Sequence, residues 1–218
     1  MDPTTQRFMG GAAGYRSNRP QLVGTSTATP TLTDTTTKAL SVPSGVENGD
    51  LLVAALFAGG GAASGWDLPG FVLVVSDISA APNMALGYRV AASEPASYTM
   101  TTTLARKLGG TMLAFRGAAY DAVSSGGGTN GISSGVTASS ADSLLLGFWG
   151  IDQSSVTFST PSGMTSIAGY SDSYSGLFSP NWEIFSQSVE AGATGTRQSL
   201  VNGTPTNCSA KLLVIKPN

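Results

Sequence analysis

Apolar positions along the 218-residue chain fall in short runs rich in Val, Leu, Phe and Tyr, separated by Gly, Ser, Pro and Asn. Short runs bounded by turn residues predict strands joined by turns, and no helical period of apolar positions is sustained. The pattern predicts strands over residues 21–28, 35–42, 50–57, 71–77, 84–91, 97–103, 110–115, 143–149, 165–170, 181–188, 195–201 and 210–216. So many short strands in one chain predict an all-β antiparallel sandwich.

Blocks of this pattern recur in the same order in two halves. Gly49-Asp50-Leu51-Leu52-Val53-Ala54-Ala55 aligns with Ala141-Asp142-Ser143-Leu144-Leu145-Leu146-Gly147, and Leu68-Pro69-Gly70-Phe71 with Thr160-Pro161-Ser162-Gly163-Met164. Ala85-Leu86-Gly87-Tyr88-Arg89-Val90 aligns with Trp182-Glu183-Ile184-Phe185-Ser186-Gln187, and the run 110–117 with 209–216. Four strands with one apolar face cannot bury it alone, so two such sets are expected to face each other. The expectation is a jelly-roll-like sandwich of two similar halves, 46–120 and 136–217, within a body spanning 21–218.

Ahead of the first matched block lie about 45 residues outside the repeat. Residues 21–42 alternate with many Thr and suit edge strands. Residues 1–20 have neither period and read as an extended N-terminal arm, carrying Arg7, Arg16 and Arg19 as cations and Phe8, Met9 and Tyr15 as apolar anchors.

Composition narrows the chemistry. Charged residues are 11% of the chain, against about 25% in an ordinary globular protein, and 11 Lys+Arg against 13 Asp+Glu leave a net charge of −2. No basic field for nucleic acid follows, and no apolar run is long enough to span a bilayer. The opening Met1-Asp2-Pro3-Thr4-Thr5-Gln6-Arg7 lacks the pattern of a signal peptide, so synthesis in a cytoplasm is expected. Histidine is absent, which removes the commonest general base, the usual nucleophile triads and most transition-metal sites. The one cysteine, Cys208, precedes an apolar run and reads as a buried thiol.

Carboxylates are the remaining acid or base candidates. Asp50 and Asp142 fall in matched positions at strand starts, where turn hydrogen bonding accounts for both. Glu183 and Glu94 sit on a strand and in a loop, and nothing pairs them as a glycosidase would. Gly59-Gly60-Gly61 follows a strand without the Gly-Lys-Ser/Thr of a phosphate loop, and no calcium-loop spacing occurs. The reading is of a protein without enzymatic activity, metal or cofactor. Aromatic side chains remain as candidates for stacking on a sugar: Trp66 in Ser64-Gly65-Trp66-Asp67, and Tyr170 with Tyr174 in a Ser-rich loop. Trp149 and Trp182 lie in apolar strands and read as core.

The order Val42-Pro43, Gly49-Asp50-Leu51-Leu52, a Trp-containing loop, Tyr88-Arg89-Val90 with Glu94-Pro95, and Ala114-Phe115-Arg116-Gly117 resembles a β-sandwich module common in tailed bacteriophages and prophages. The second half resembles it as well, in 191–197 and in Leu212-Leu213-Val214-Ile215-Lys216-Pro217, so the likeness covers about residues 35–217. It carries no catalytic motif. The resemblance implies a virion structural protein, with a capsid decoration or cement protein as the leading expectation. Such a protein would sit on the outer shell as a homotrimer bound to the major capsid protein, with Arg7, Phe8, Met9, Tyr15, Arg16 and Arg19 of the arm making the contact. A receptor- or carbohydrate-binding module of a tail fibre, using Trp66, Tyr170 and Tyr174, is the alternative, followed by a neck or baseplate component.

Overall fold

The computed structural model describes residues 18–61, 65–77, 82–124, 131–153, 155–171, 179–202 and 208–218. Its strands are β1 (Gln21–Ala28), β2 (Thr35–Ser41), β3 (Leu51–Gly59), β4 (Trp66–Asp67), β5 (Val72–Ser76), β6 (Asn83–Val90), β7 (Ser97–Arg116), β8 (Ala118–Val123), β9 (Ile132–Ser133), β10 (Thr137–Ala138), β11 (Ser143–Asp152), β12 (Thr165–Tyr170), β13 (Pro180–Val189), β14 (Gly192–Ala193), β15 (Arg197–Gln198) and β16 (Cys208–Pro217). The fold is all-β, and every pairing is antiparallel.

Two large sheets form the body. One runs β1-β7-β3-β6-β5, with β2 and β4 paired to the first half of β7; the other runs β12-β13-β11-β16-β8. The chain finishes the first sheet before starting the second, whereas the strands of a jelly roll alternate between sheets. Gly117, at φ +65°, turns the chain between β7 and β8. That left-handed conformation costs a glycine little.

The sheets are built alike down to their irregularities. Leu51 pairs with Val90 and Phe115, and Leu144 pairs with Ser188 and Ile215. A bulge interrupts β5 between Leu73 and Val75, and another interrupts β12 between Ser166 and Ala168 at the corresponding position. Likewise β1 is bulged between Leu22 and Gly24 against β7, and the β8–β16 ladder shifts between Ile215 and Val214 at the corresponding place. The turn before β5 closes with Phe71 N–H on Leu68 O at 3.0 Å, and that before β12 with Met164 N–H on Pro161 O at 3.0 Å. Gly70 and Gly163 occupy the same left-handed position in these turns, at φ +81° and +76°.

These ladders correct the residue pairing read from the sequence. Gly49 corresponds to Asp142, both at positive φ, and Asp50 corresponds to Ser143, so Asp50 and Asp142 are not equivalent. Every matched strand block is displaced by one residue, which would turn inward side chains outward. The segment before residue 46 also belongs to the scheme, because β1 occupies beside β7 the place that β8 occupies beside β16.

Three cores hold the layers together. Between the sheets pack Leu51, Val53, Phe57, Met84, Leu86, Leu113 and Phe115 from one side and Leu146, Phe148, Trp182, Ile184, Leu213 and Ile215 from the other. The far face of the first sheet is covered by β2, β4 and the first half of β7, which bury Leu40, Trp66, Leu68, Tyr98 and Met100 against Leu52, Leu56 and Met112. The far face of the second sheet buries Leu145, Trp149, Phe185, Leu212 and Val214 with Val136, Ala138 and Met164. Both sheets are therefore apolar on two faces, which is why β3 is buried at every position and reads as a continuous rather than an alternating run. The predicted strands at 97–103 and 110–115 are one strand, because β7 pairs with β2 through its first half and with β1 and β3 through its second. The strand predicted at 195–201 shrinks to the two residues of β15.

Candidate functional site

The polar side chains gather where β3 begins and β6 and β7 meet the loops. Asp50 closes the turn before β3 by accepting the Glu47 N–H at 2.9 Å on Oδ2. Arg116, the last residue of β7, donates from Nε to Asp50 Oδ1 and from Nη2 to Asp50 Oδ2, both at 3.1 Å. Its Nη2 also reaches Gly45 O at 3.2 Å and lies 3.3 Å from Glu47 Oε2. Burial alone would raise the Asp50 pKa, but the Arg116 and Glu47 hydrogen bonds and the Arg116 charge outweigh it and hold the carboxyl below its ordinary range.

A second cluster stands beside it. Glu94 Oε1 accepts the Ala92 N–H at 2.7 Å and lies 3.0 Å from Arg89 Nη2, while Glu94 Oε2 accepts the Tyr98 hydroxyl. The Arg89 guanidinium lies 5.1 Å from the Tyr98 ring centre and 5.8 Å from that of Phe71, two rings that meet edge to face at 5.1 Å. Burial, then the Glu94 contact, pushes the Tyr98 hydroxyl up to about 12. Between the two clusters opens a groove of about 520 Å³, lined by Val42, Pro43, Glu47, Asn48, Glu94 and Pro95.

The other sheet repeats the plan with different groups. Asp121 accepts the Ser139 N–H at 2.7 Å, bonds to the Ser139 hydroxyl at 2.5 Å and lies 3.5 Å from Lys216 Nζ, where Lys216 corresponds to Arg116. Lys211, almost fully buried on β16, joins the sheets through Asp77 at 3.3 Å. At the opposite end Asp152 Oδ2 accepts the Gly60 N–H at 2.8 Å, and burial raises its pKa. Glu183, raised by burial, accepts the Ser166 hydroxyl.

These contacts tie loops and strand ends to the sheets. Cys208 is buried, which drives its thiol up to about 11 and away from the reactive thiolate. Among the described residues no group of three or more His, Cys, Asp or Glu is placed to hold a metal ion, and no helix is long and apolar enough to cross a membrane.

Arg7, Phe8, Met9, Tyr15 and Arg16 of the predicted arm lie outside the described residues, as does Tyr174. Arg19 is described, and it engages its own chain: Nε donates to Asp142 Oδ1 at 2.7 Å and Nη2 lies 3.9 Å from Glu190 Oε1. Trp66 is only 7% exposed and packs in the core beneath β2, so its ring is closed to a ligand. Tyr170 is half-buried and stacks on Trp182 at 5.1 Å. Sequence reasoning brought together neither the Asp50–Arg116 pair nor the Arg89–Glu94–Tyr98 cluster. Both join residues at strand ends that only the sheet register makes neighbours.

No family model, curated protein or solved structure matches this chain.

Proposed function

We propose that this chain is a virion structural protein, a capsid decoration or cement protein that binds and stabilises an outer head shell. The observation that carries the reading is the use of its charged groups: Asp50, Glu94, Asp121 and Asp77 are each paired with a cation of the same chain, across ends and layers of a body with three cores. That is the chemistry of a rigid part. An internally neutralised, Ser- and Thr-rich body suits close packing of many copies, where unpaired buried charge is costly. The resemblance to phage sandwich modules supports the same place, and the arm of residues 1–20 is the segment expected to reach the major capsid protein, with Arg19 held by Asp142 of the same chain. With Trp66 buried, the carbohydrate-binding alternative loses its leading aromatic platform.

The test is the copy number of the chain in purified particles, by quantitative mass spectrometry against the major capsid protein. Copies on the order of hundreds are expected for a symmetric shell layer. A few to a few dozen would move the chain to tail, fibre or neck, and absence from particles would end the virion reading. Removing residues 1–17, which spares the Arg19–Asp142 pair, is expected to lower shell occupancy without changing the melting temperature.

A further inference from the structure

Asp152 stands in the seam between the two sheets, at the end away from Arg116. It is the last residue of β11, on the face that carries Leu146 and Phe148 into the central core. A Cβ at Gly150, one step back along that face, would lie 2.8 Å from the Phe57 ring, so the carboxyl sits at the rim of closely packed apolar groups. Its Oδ2 accepts the N–H of Gly60, which belongs to the turn after β3 of the other sheet. Its Oδ1 is buried and has no hydrogen-bond partner among the described residues.

The two protonation states are unequal in such a place. The ion holds a full charge and an unanswered oxygen out of water, a cost that the neutral acid largely avoids. A proton on Oδ1 leaves Oδ2 able to accept the Gly60 N–H, so the contact between sheets survives it. The charges nearby act the other way. Lys107 of β7 favours the ion, and Arg106 beside it brings its Cδ to 3.7 Å from a Cβ placed on Gly60. The other elements around Asp152 present uncharged or engaged groups: Pro180 opposite it on β13, Asn83 on β6, and Lys211 on β16, which is paired with Asp77. Glu183 and Cys208 lie toward the far face of the second sheet. Burial outweighs the Gly60 bond and the Lys107 charge, and the folded pKa is raised.

We infer that Asp152 is an acid-responsive clasp of the seam: neutral, it closes this end of the sandwich; ionised, it favours parting of Gly60 from the end of β11. Opening returns the ion to water, which the neutral acid gains little from, so ionisation and opening are coupled. Because the folded pKa lies above the ordinary 3.8, the clasp is fully made below 3.8 and weakens as pH rises through the folded value. Asp50 has the opposite sign, since its contribution is lost in acid. The neighbouring contact across the seam, Ser209 Oγ to Pro82 O, holds no ionisable group and stays constant. The clasp is a property of the fold and does not rest on the virion reading.

Amide hydrogen exchange of the full chain tests it, expressed as protection factors so that the intrinsic pH dependence of exchange is removed. In the unaltered protein the Gly60 amide is expected to gain protection severalfold from about pH 7 to about pH 4. Asp152→Asn is neutral throughout and keeps an acceptor oxygen for Gly60, so its protection there is expected to be high and level over the same range. Gly60 protection in the unaltered protein that is level, or that falls toward acid, overturns the inference. So does protection in Asp152→Asn below that of the unaltered protein at neutral pH. Carbon NMR of the Asp152 carboxyl in the unaltered protein needs no variant to fold: a midpoint above 3.8 is expected, and one at or below it overturns the inference.

Discussion

At the scale of single residues, buried or half-buried ionisable groups tie the loops to the sheets, and their titration should be visible in stability. Asp50 has a folded pKa below its ordinary value of 3.8, so its stabilisation is complete above that value and is lost as pH falls through the lower folded value. Asp50→Asn is expected to cost about 1–2 kcal/mol at pH 7, discounted because Arg116 is partly solvated. The gap between the two melting temperatures should narrow from pH 5 to pH 2, and a constant gap would deny Asp50 its ionic role. Cys208 makes the complementary case. With its thiol raised to about 11 inside the third core, it should react with a disulfide reagent on the order of a hundredfold slower in the native protein than in denaturant.

At the scale of elements, glycines mark where two sheets approach too closely for a side chain. Trp182 stacks on Phe57 at 4.9 Å and donates its indole N–H to Thr111 Oγ1 at 2.9 Å, across the space between sheets. A Cβ at Gly109 would lie 2.7 Å from the Trp182 ring. Gly109→Ala is therefore expected to cost about 1–3 kcal/mol by overpacking and to alter the near-ultraviolet circular dichroism. Gly117 has nothing within 4 Å of a Cβ, so Gly117→Ala should cost about 1–2 kcal/mol through its backbone conformation alone and leave that spectrum unchanged. Elements were also where the sequence was most legible. The apolar runs marked β1 and β12 to the residue and most other long strands to within two. What the runs concealed was facing. In β3 and β11 both faces are apolar, so no alternation fixes which residues look inward, and Asp50 and Asp142 drew the alignment one residue out of register. The strand β8 was missed because Ala118-Ala119-Tyr120-Asp121-Ala122-Val123 has a bulge that breaks its period. The Asp50–Arg116 pair was illegible for a different reason: its members are 66 residues apart, and only the β3–β7 register makes them neighbours.

At the scale of the molecule, each large sheet is closed within its own stretch of chain, and Gly117 stands between them. Among the described residues no strand ladder links the two sheets, and they are held by the central core, by the chain connection and by polar contacts such as Ser209 Oγ donating to Pro82 O at 2.7 Å. Fragments 1–117 and 118–218, expressed together, are expected to copurify in equal amounts and melt as one unit. Separate melting of the two would mean that the central core does not couple them. This division also bears on synthesis. On a ribosome the first sheet can complete all its ladders while about a hundred residues remain to be made, a wait on the order of 5–20 s. Through that interval Phe57, Leu113 and Phe115 face solvent with no opposing layer, so the nascent chain passes through a sticky half-built stage and needs dilution, a chaperone or rapid translation of its second half.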